Sequence, residues 1–219
     1  GQKSARVTIR QSSGGTLDYS LYSKTSQITV RSRPDTVPSS VFIPSREGLA
    51  LYEGFIAAYQ RRELSFDETY FDLAVALSAK SLRGPRAPTI TGVIQSLEKI
   101  LGGKIILDGG RFYLRGPGGS LLEAHLLSEG MRKIASLVRL LQNGELNEAA
   151  LLCWDEPEAN LNPILAVKTA SILGTLARGG VQILAATHDY LLSETIALEA
   201  QEHPETPVRF FVFSNGKNG

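Results

Sequence analysis

The chain has 219 residues, 42% of them hydrophobic, with 23 Lys+Arg against 22 Asp+Glu for a net charge of +1. That excludes wholesale disorder, allows one large domain or two lobes sharing a core, and gives no support to nucleic-acid binding beyond a local patch. The single cysteine, Cys153, excludes an intramolecular disulfide and fits a reducing, cytoplasmic setting; no apolar run approaches the ~20 residues of a membrane-spanning helix.

No signal peptide is visible, because the first segment is polar and reads as strand. Residues 6–10 (RVTIR), 17–22 (LDYSLY) and 27–31 (QITVR) are rich in β-branched and aromatic residues and predict three strands. A turn at 12–15 separates the first two, and Pro34 and Pro38 mark a connector. Residues 41–43 predict a short buried strand ending at Pro44. Ser45 is positioned to cap a helix over 46–64, with Leu49, Phe55, Ile56 and Tyr59 on its apolar face. Ser65 and Glu68 have capping-box spacing and predict a second helix through 82. A third helix over 91–101 closes at Gly102-Gly103, and Asp108-Gly109-Gly110 joins two hairpin strands at 104–107 and 111–114. Gly116 to Gly119 read as a flexible loop.

Beyond Leu127 the pattern becomes alternating helix and strand. Residues 128–142 predict a helix with Met131, Ile134, Leu137, Val138 and Leu141 on one face. The apolar run 149–154 suits a strand buried on both faces. Asn162-Pro163 opens another helix, 181–187 predicts a second buried strand, 190–200 a helix and 208–213 a last strand. This alternation implies a largely parallel sheet.

Three features carry chemistry. The run 150–154 ends in Asp155-Glu156-Pro157, which places two carboxylates at the carboxyl edge of the sheet, where α/β folds bind ligands. Asp155 suits Mg²⁺ held through coordinated water, and Glu156 suits orienting or deprotonating a water; taken alone, the motif reads first as a polar strand exit. Thr187-His188-Asp189 follows the next strand, so His188 reaches the same edge. Ser128-Glu129-Gly130 opens a helix: Ser128 can cap it, Gly130 leaves its backbone open to close approach, and such helix starts attract phosphate, although a plain cap reads the same way.

In this order the motifs resemble those of ABC-type ATPases: Ser128-Glu129-Gly130 resembles the signature, 151–156 Walker B, Ala159-Asn160-Leu161-Asn162-Pro163 the D-loop and His188 the switch histidine. The particular run from Trp154 to Pro163, with Ser128 to Lys133 upstream, resembles the ABC-like AAA-family ATPases of the abortive-infection, OLD-like and Septu-like defence groups. The residues from Val41 to Glu47 resemble that group too. The resemblance implies an ABC-ATPase-like α/β head of the P-loop type. Its mostly parallel core sheet would be joined by an antiparallel β subregion and a helical lobe. In domains, 1–44 would be the β-rich part, 45–126 the helical lobe with hairpin and 127–219 the α/β core. It further implies ATP with Mg²⁺ at Asp155, catalysis by Glu156 and His188, and a homodimer sandwiching nucleotide. Ser128, Glu129 and Gly130 would meet the partner's nucleotide, and Asn160 and Asn162 would cross the dimer axis. Because that loop should be exposed in a monomer, Gly130→Asp is expected to block association without disturbing folding.

The sequence departs from the pattern in one respect. It contains no Gly-x-x-x-x-Gly-Lys-[Ser/Thr]; Gly1-Gln2-Lys3-Ser4 and Gly216-Lys217-Asn218 both fail to match. The expectation is a piece lacking the unit that carries Walker A, inactive alone, from an ATPase of a defence, toxin–antitoxin or DNA-repair system with an effector protein as a further partner. The alternative is a non-catalytic ABC-like module for dimerisation or interaction. A transporter ATPase fits less well, given the form of the D-loop. No clear Q-loop glutamine is present, Arg46 is a minor candidate contact, and Cys153 and Trp154 read as core residues.

Overall fold

A computed structural model describes residues 4–10, 15–23, 28–33 and 39–213. The chain divides into two compact units, 1–38 and 39–219. In the first, β1 (Ser4–Arg10), β2 (Thr16–Tyr22) and β3 (Ile28–Ser32) form an antiparallel sheet in that order, with Val7 opposite Tyr19. Asp18 is buried on the middle strand and accepts hydrogen bonds from the Arg6 guanidinium, which holds its carboxyl below the usual carboxylate range. The expected turn at 12–15 (Gly15 apart) and the Pro34/Pro38 connector lie outside the described residues.

The second unit contains β4 (Ser40–Ile43), α1 (Phe55–Gln60), α2 (Glu68–Ser78), α3 (Pro88–Leu101), β5 (Lys104–Asp108), β6 (Arg111–Arg115), β7 (Leu121–Glu123), α4 (Glu129–Asn143), β8 (Leu151–Asp155), α5 (Pro163–Arg178), β9 (Gln182–Ala186) and α6 (Tyr190–Glu202). Strands β4, β8 and β9 make a parallel sheet in the order β4-β8-β9, and β5, β6 and β7 a separate antiparallel sheet. This is the mixed α/β architecture that the sequence implies. The β5–β6 hairpin turns through Gly109 and Gly110, both at positive φ, as a tight two-residue connection requires. The core runs from β4 and β8 through α2, α3 and α4 and includes Ile43, Leu77, Leu97, Leu137, Leu140, Leu152 and Trp154.

Several expectations fail for identifiable reasons. The helix over 46–64 is only α1, because Gly54 takes a left-handed φ of 71° and sets a late start; Leu49 is nevertheless buried. The cap of α2 is Asp67, which accepts from Thr69 N–H, rather than Ser65, and the helix stops at Ser78 rather than 82. The Gly116–Gly119 loop is a tight turn with Gly118 and Gly119 at positive φ, closed by Gly119 N–H donating to the Gly116 carbonyl, and it leads into β7, a strand the periodicity missed. The parallel sheet is packed on one face only: Val41, Ile43, Leu152 and Trp154 are buried, whereas Phe42 is exposed, Cys153 is half-buried and Leu184 is 55% exposed. Strand β9 is therefore not the buried strand expected from its apolar run, and Cys153 is not a core residue, although Trp154 is. Residues 208–213 pair with no strand among the described residues, and Phe211, Val212 and Phe213 are exposed.

Candidate functional site

The parallel register of β8 and β9 sets Asp155 opposite Ala186, and Glu156 N–H donates to the Ala186 carbonyl at 2.8 Å. Two residues beyond that carbonyl, His188 comes back to the same edge. Its Nδ1 lies 3.2 Å from Oε1 of Glu156, with the His188 side chain 81% exposed and that of Glu156 36%. The two residues read as catalytic from the sequence are thus brought together. The Asp155 carboxylate is half-buried and makes no hydrogen bond or ion pair among the described residues.

After Glu156 the chain turns sharply. Glu156 has a φ of 47° and Asn160 a φ of 63°, both left-handed and both non-glycine. Ala159 N–H donates to the Glu156 carbonyl and Leu161 N–H to that of Glu158, each at 3.0 Å. Asn160 and Asn162 are exposed, and Asn162 caps α5 by accepting from Leu165 N–H at 2.9 Å. Proline at the first helical position completes that start.

Ser128, Glu129 and Gly130 stand at the start of α4. Ser128 is exposed and caps the helix through Met131 N–H; Glu129 is half-buried in the first turn, where a carboxylate suits the helix dipole. Gly130 departs from expectation. It is buried, and a Cβ there would lie 2.5 Å from the Asn160 carbonyl oxygen and 2.8 Å from Leu161 Cδ2. The close approach that glycine permits is made by the chain's own turn at Asn160 and Leu161. Gly130→Asp would therefore clash inside the monomer, so the expected clean separation of folding from association does not hold for that substitution.

Sequence reasoning missed three residues. Lys133 is fully buried and its Nζ donates to the Glu156 carbonyl at 2.8 Å. Burial pushes its pKa below the ordinary lysine range, opposed by the carboxylates of Glu129, Glu158, Glu156 and Asp155. Helical spacing offered a signal, since Lys133 lies four residues before Leu137 on the apolar stripe. Glu158 is buried and accepts from Thr187 Oγ1 at 2.6 Å; Thr187 Oγ1 accepts in turn from Asp189 N–H, and Asp189 caps α6. Glu47 forms an ion pair with Arg132 at 2.6 Å with both side chains largely buried, tying the loop after β4 to α4. Arg132 also donates to the carbonyls of His125 and Leu127. Arg46, by contrast, is exposed.

Hard oxygen donors at a strand edge suit Mg²⁺, which keeps much of its water and takes one or two protein carboxylates. The Asp155 carboxylate, which makes no hydrogen bond or ion pair among the described residues, fits that demand. No cluster of three or more His, Cys, Asp or Glu side chains poised for a metal occurs among the described residues. No helix among them is long and apolar enough to cross a membrane.

The chain is an α/β protein whose parallel sheet carries acidic and histidine residues at its carboxyl edge, the edge where such folds bind ligands. Residues 24–194 match the family described as "AAA domain, putative AbiEii toxin, Type IV TA system", and the chain belongs to that family, an ATPase family. Comparison with curated proteins gives no significant match. Among solved structures, the SMC head domain from Thermotoga maritima is similar at 15% identity and a TM-score of 0.45, covering 89% of this chain and 67% of that one. The Smc head domain from Pyrococcus furiosus, bound to the C-terminal domain of ScpA, gives 10% identity and a TM-score of 0.40, covering 82% of this chain and 67% of that one. The cbiO1 protein of Clostridium perfringens, part of the ABC transporter complex cbiONQ, gives 15% identity and a TM-score of 0.34, covering 76% of this chain and 57% of that one. All three superpositions are loose.

Proposed function

We propose that the chain is the catalytic part of an ABC-like ATP-hydrolysing head that works as a nucleotide-sandwich dimer in a defence, toxin–antitoxin or DNA-repair system. The observation that carries this reading is the placement of Glu156 and His188 within 3.2 Å at the edge of the parallel sheet, beside the free carboxylate of Asp155. Asp155 would hold Mg²⁺ through water; the ion, when bound, neutralises charge developing on the phosphates. Glu156 orients and deprotonates the attacking water. His188 donates to the γ-phosphate or to that water.

The dimer reading is supported by exposure. Ser128, Asn160 and Asn162 all face solvent, and Ile164 beside them is 68% exposed. The start of α4, with its cap residue outward, is a phosphate-attracting end. An effector protein is a further partner in this reading. Nucleic acid gains no support from a net charge of +1, and a cytoplasmic setting rests on the single cysteine.

These 219 residues contain no phosphate loop, so by themselves they should turn over ATP negligibly. That same absence favours the second reading, a module that dimerises or binds an effector without hydrolysis. One experiment separates the two. The chain is co-expressed or joined with the segment that carries a phosphate loop, and ATP turnover and association state are measured together. Turnover abolished by Glu156→Gln, with ATP-dependent association, supports the first reading. Nucleotide-independent dimers without turnover support the second. Turnover by the isolated chain that vanishes in Glu156→Gln would overturn the assignment of the missing loop.

A further inference from the structure

The buried stripe of α4 carries an ammonium where a hydrocarbon would be expected. Lys133 is 1% exposed and spends its charge on one main-chain oxygen, that of Glu156, at 2.8 Å. Burying a cation costs several kcal/mol unless hydrogen bonds and countercharge offset it. Here the offset comes from that carbonyl and from the surrounding Glu129, Glu158, Glu156 and Asp155.

The oxygen it holds belongs to a residue in an unfavourable conformation. A non-glycine residue at φ 47° persists only when its surroundings over-determine it. One turn earlier on the same stripe, Gly130 packs against the carbonyl of Asn160, the other left-handed residue of the turn. Both ends of the segment 156–160 therefore rest on α4, one through a charged hydrogen bond and the other through a close backbone approach.

We propose that Lys133 is the positioning residue of this site: by fixing the Glu156 main chain in its left-handed conformation it aims the Glu156 carboxylate at His188. The functional half of this statement rests on the reading of Glu156 as the water-orienting carboxylate. The structural half does not.

Amide hydrogen exchange in the full chain tests it. Lys133→Met keeps the stem and removes the ammonium. Exchange at Ala159 and Leu161, whose N–H groups close the turn, should rise about 10- to 100-fold, the scale of one lost charged hydrogen bond. Amides in the centre of α4 and in β8 should be unchanged. A uniform rise across α4 and β8, or no rise at Ala159, would overturn the proposal. Glycine takes a positive φ without support, so in a Glu156→Gly background Lys133→Met should raise exchange much less. An equal rise in both backgrounds would reduce Lys133 to packing. Should Lys133→Met fail to fold, the double variant with Glu156→Gly should fold; a double variant that also fails overturns the proposal. None of these readouts depends on hydrolysis. Unchanged turnover in Glu156→Gln would overturn the catalytic reading and leave the brace standing, whereas failure of the exchange test would leave the catalytic reading untouched.

Discussion

Helices α4 and α6 each support one member of the Glu156–His188 pair, and they are held very differently. In α4, eleven of fifteen residues are buried, Lys133 and Arg139 among them. In α6, which begins two residues after His188, only Leu192 of thirteen is buried, and the helix packs on α5. The main chain that carries the Glu156 carboxylate is thus held by a helix fixed to the core, and the histidine stands at an exposed edge. A site built this way keeps one group in place before ligand arrives and leaves the other free to respond. The hydrogen bond from Thr187 Oγ1 to buried Glu158 joins the two sides.

The largest effect should come from the fixed side. In an ATP-hydrolysing form of the protein, Glu156→Gln should lower kcat by ~10²–10⁴-fold, the scale for losing a general base. His188→Ala should cost less than Glu156→Gln, because losing one hydrogen bond costs less than losing the general base. A His188 variant with the larger loss would reverse the assignment of fixed and responsive partners.

Stability should follow the same division. Leu140 of α4 is fully buried, and truncating it to alanine should cost ~2–5 kcal/mol in denaturant unfolding. Leu198 of α6 is 56% exposed, and Leu198→Ala should stay within ~0.5 kcal/mol. Comparable losses would mean that α6 is packed as firmly as α4. Thr187→Val tests the tie between the sides. It leaves a buried carboxylate without its donor, which should cost ~1–3 kcal/mol and raise exchange at Asp189 N–H, the amide that donates to Thr187 Oγ1.

Much of the site was legible in sequence because it is local. The cap residues Ser128 and Asn162, the strand ending at Asp155 and the return of the chain at His188 all follow from short patterns whose physics is contained in neighbouring residues. What was not legible depends on distant partners. Helical spacing sets Lys133 on the apolar stripe, but its partner, the Glu156 carbonyl 23 residues away, is in no local pattern. Gly130 reads as an open backbone until Asn160 fills the space. The apolar run of β9 reads as buried on both faces, yet its burial is decided by what lies on each side of the sheet, which no local pattern contains. The helix expected over 46–64 failed by a different route: apolar spacing was present, but Gly54 in the left-handed region delayed its start.

A small expected change in stability gives the sharpest test of what the start of α4 is for. Ser128 has two possible roles that the wild-type residue cannot separate: it accepts from Met131 N–H as a helix cap, and its exposed position suits contact with phosphate. Ser128→Ala removes both, and a loss of ~1 kcal/mol would be explained by the cap alone. Aspartate caps as well as serine and places a favourable negative charge at the positive end of the helix. Ser128→Asp should therefore unfold within ~0.5 kcal/mol of the wild type, measured by denaturant titration. The same carboxylate would face the γ-phosphate in a sandwich dimer, and like charges at close range repel. Sedimentation of the ATP-competent protein should then show dimers with ATP for Ser128 and monomers for Ser128→Asp, while Ser128→Asn, a good cap without charge, retains association. Dimers of Ser128→Asp that form normally with ATP would leave Ser128 as a cap and nothing more, and would remove the start of α4 from the nucleotide interface.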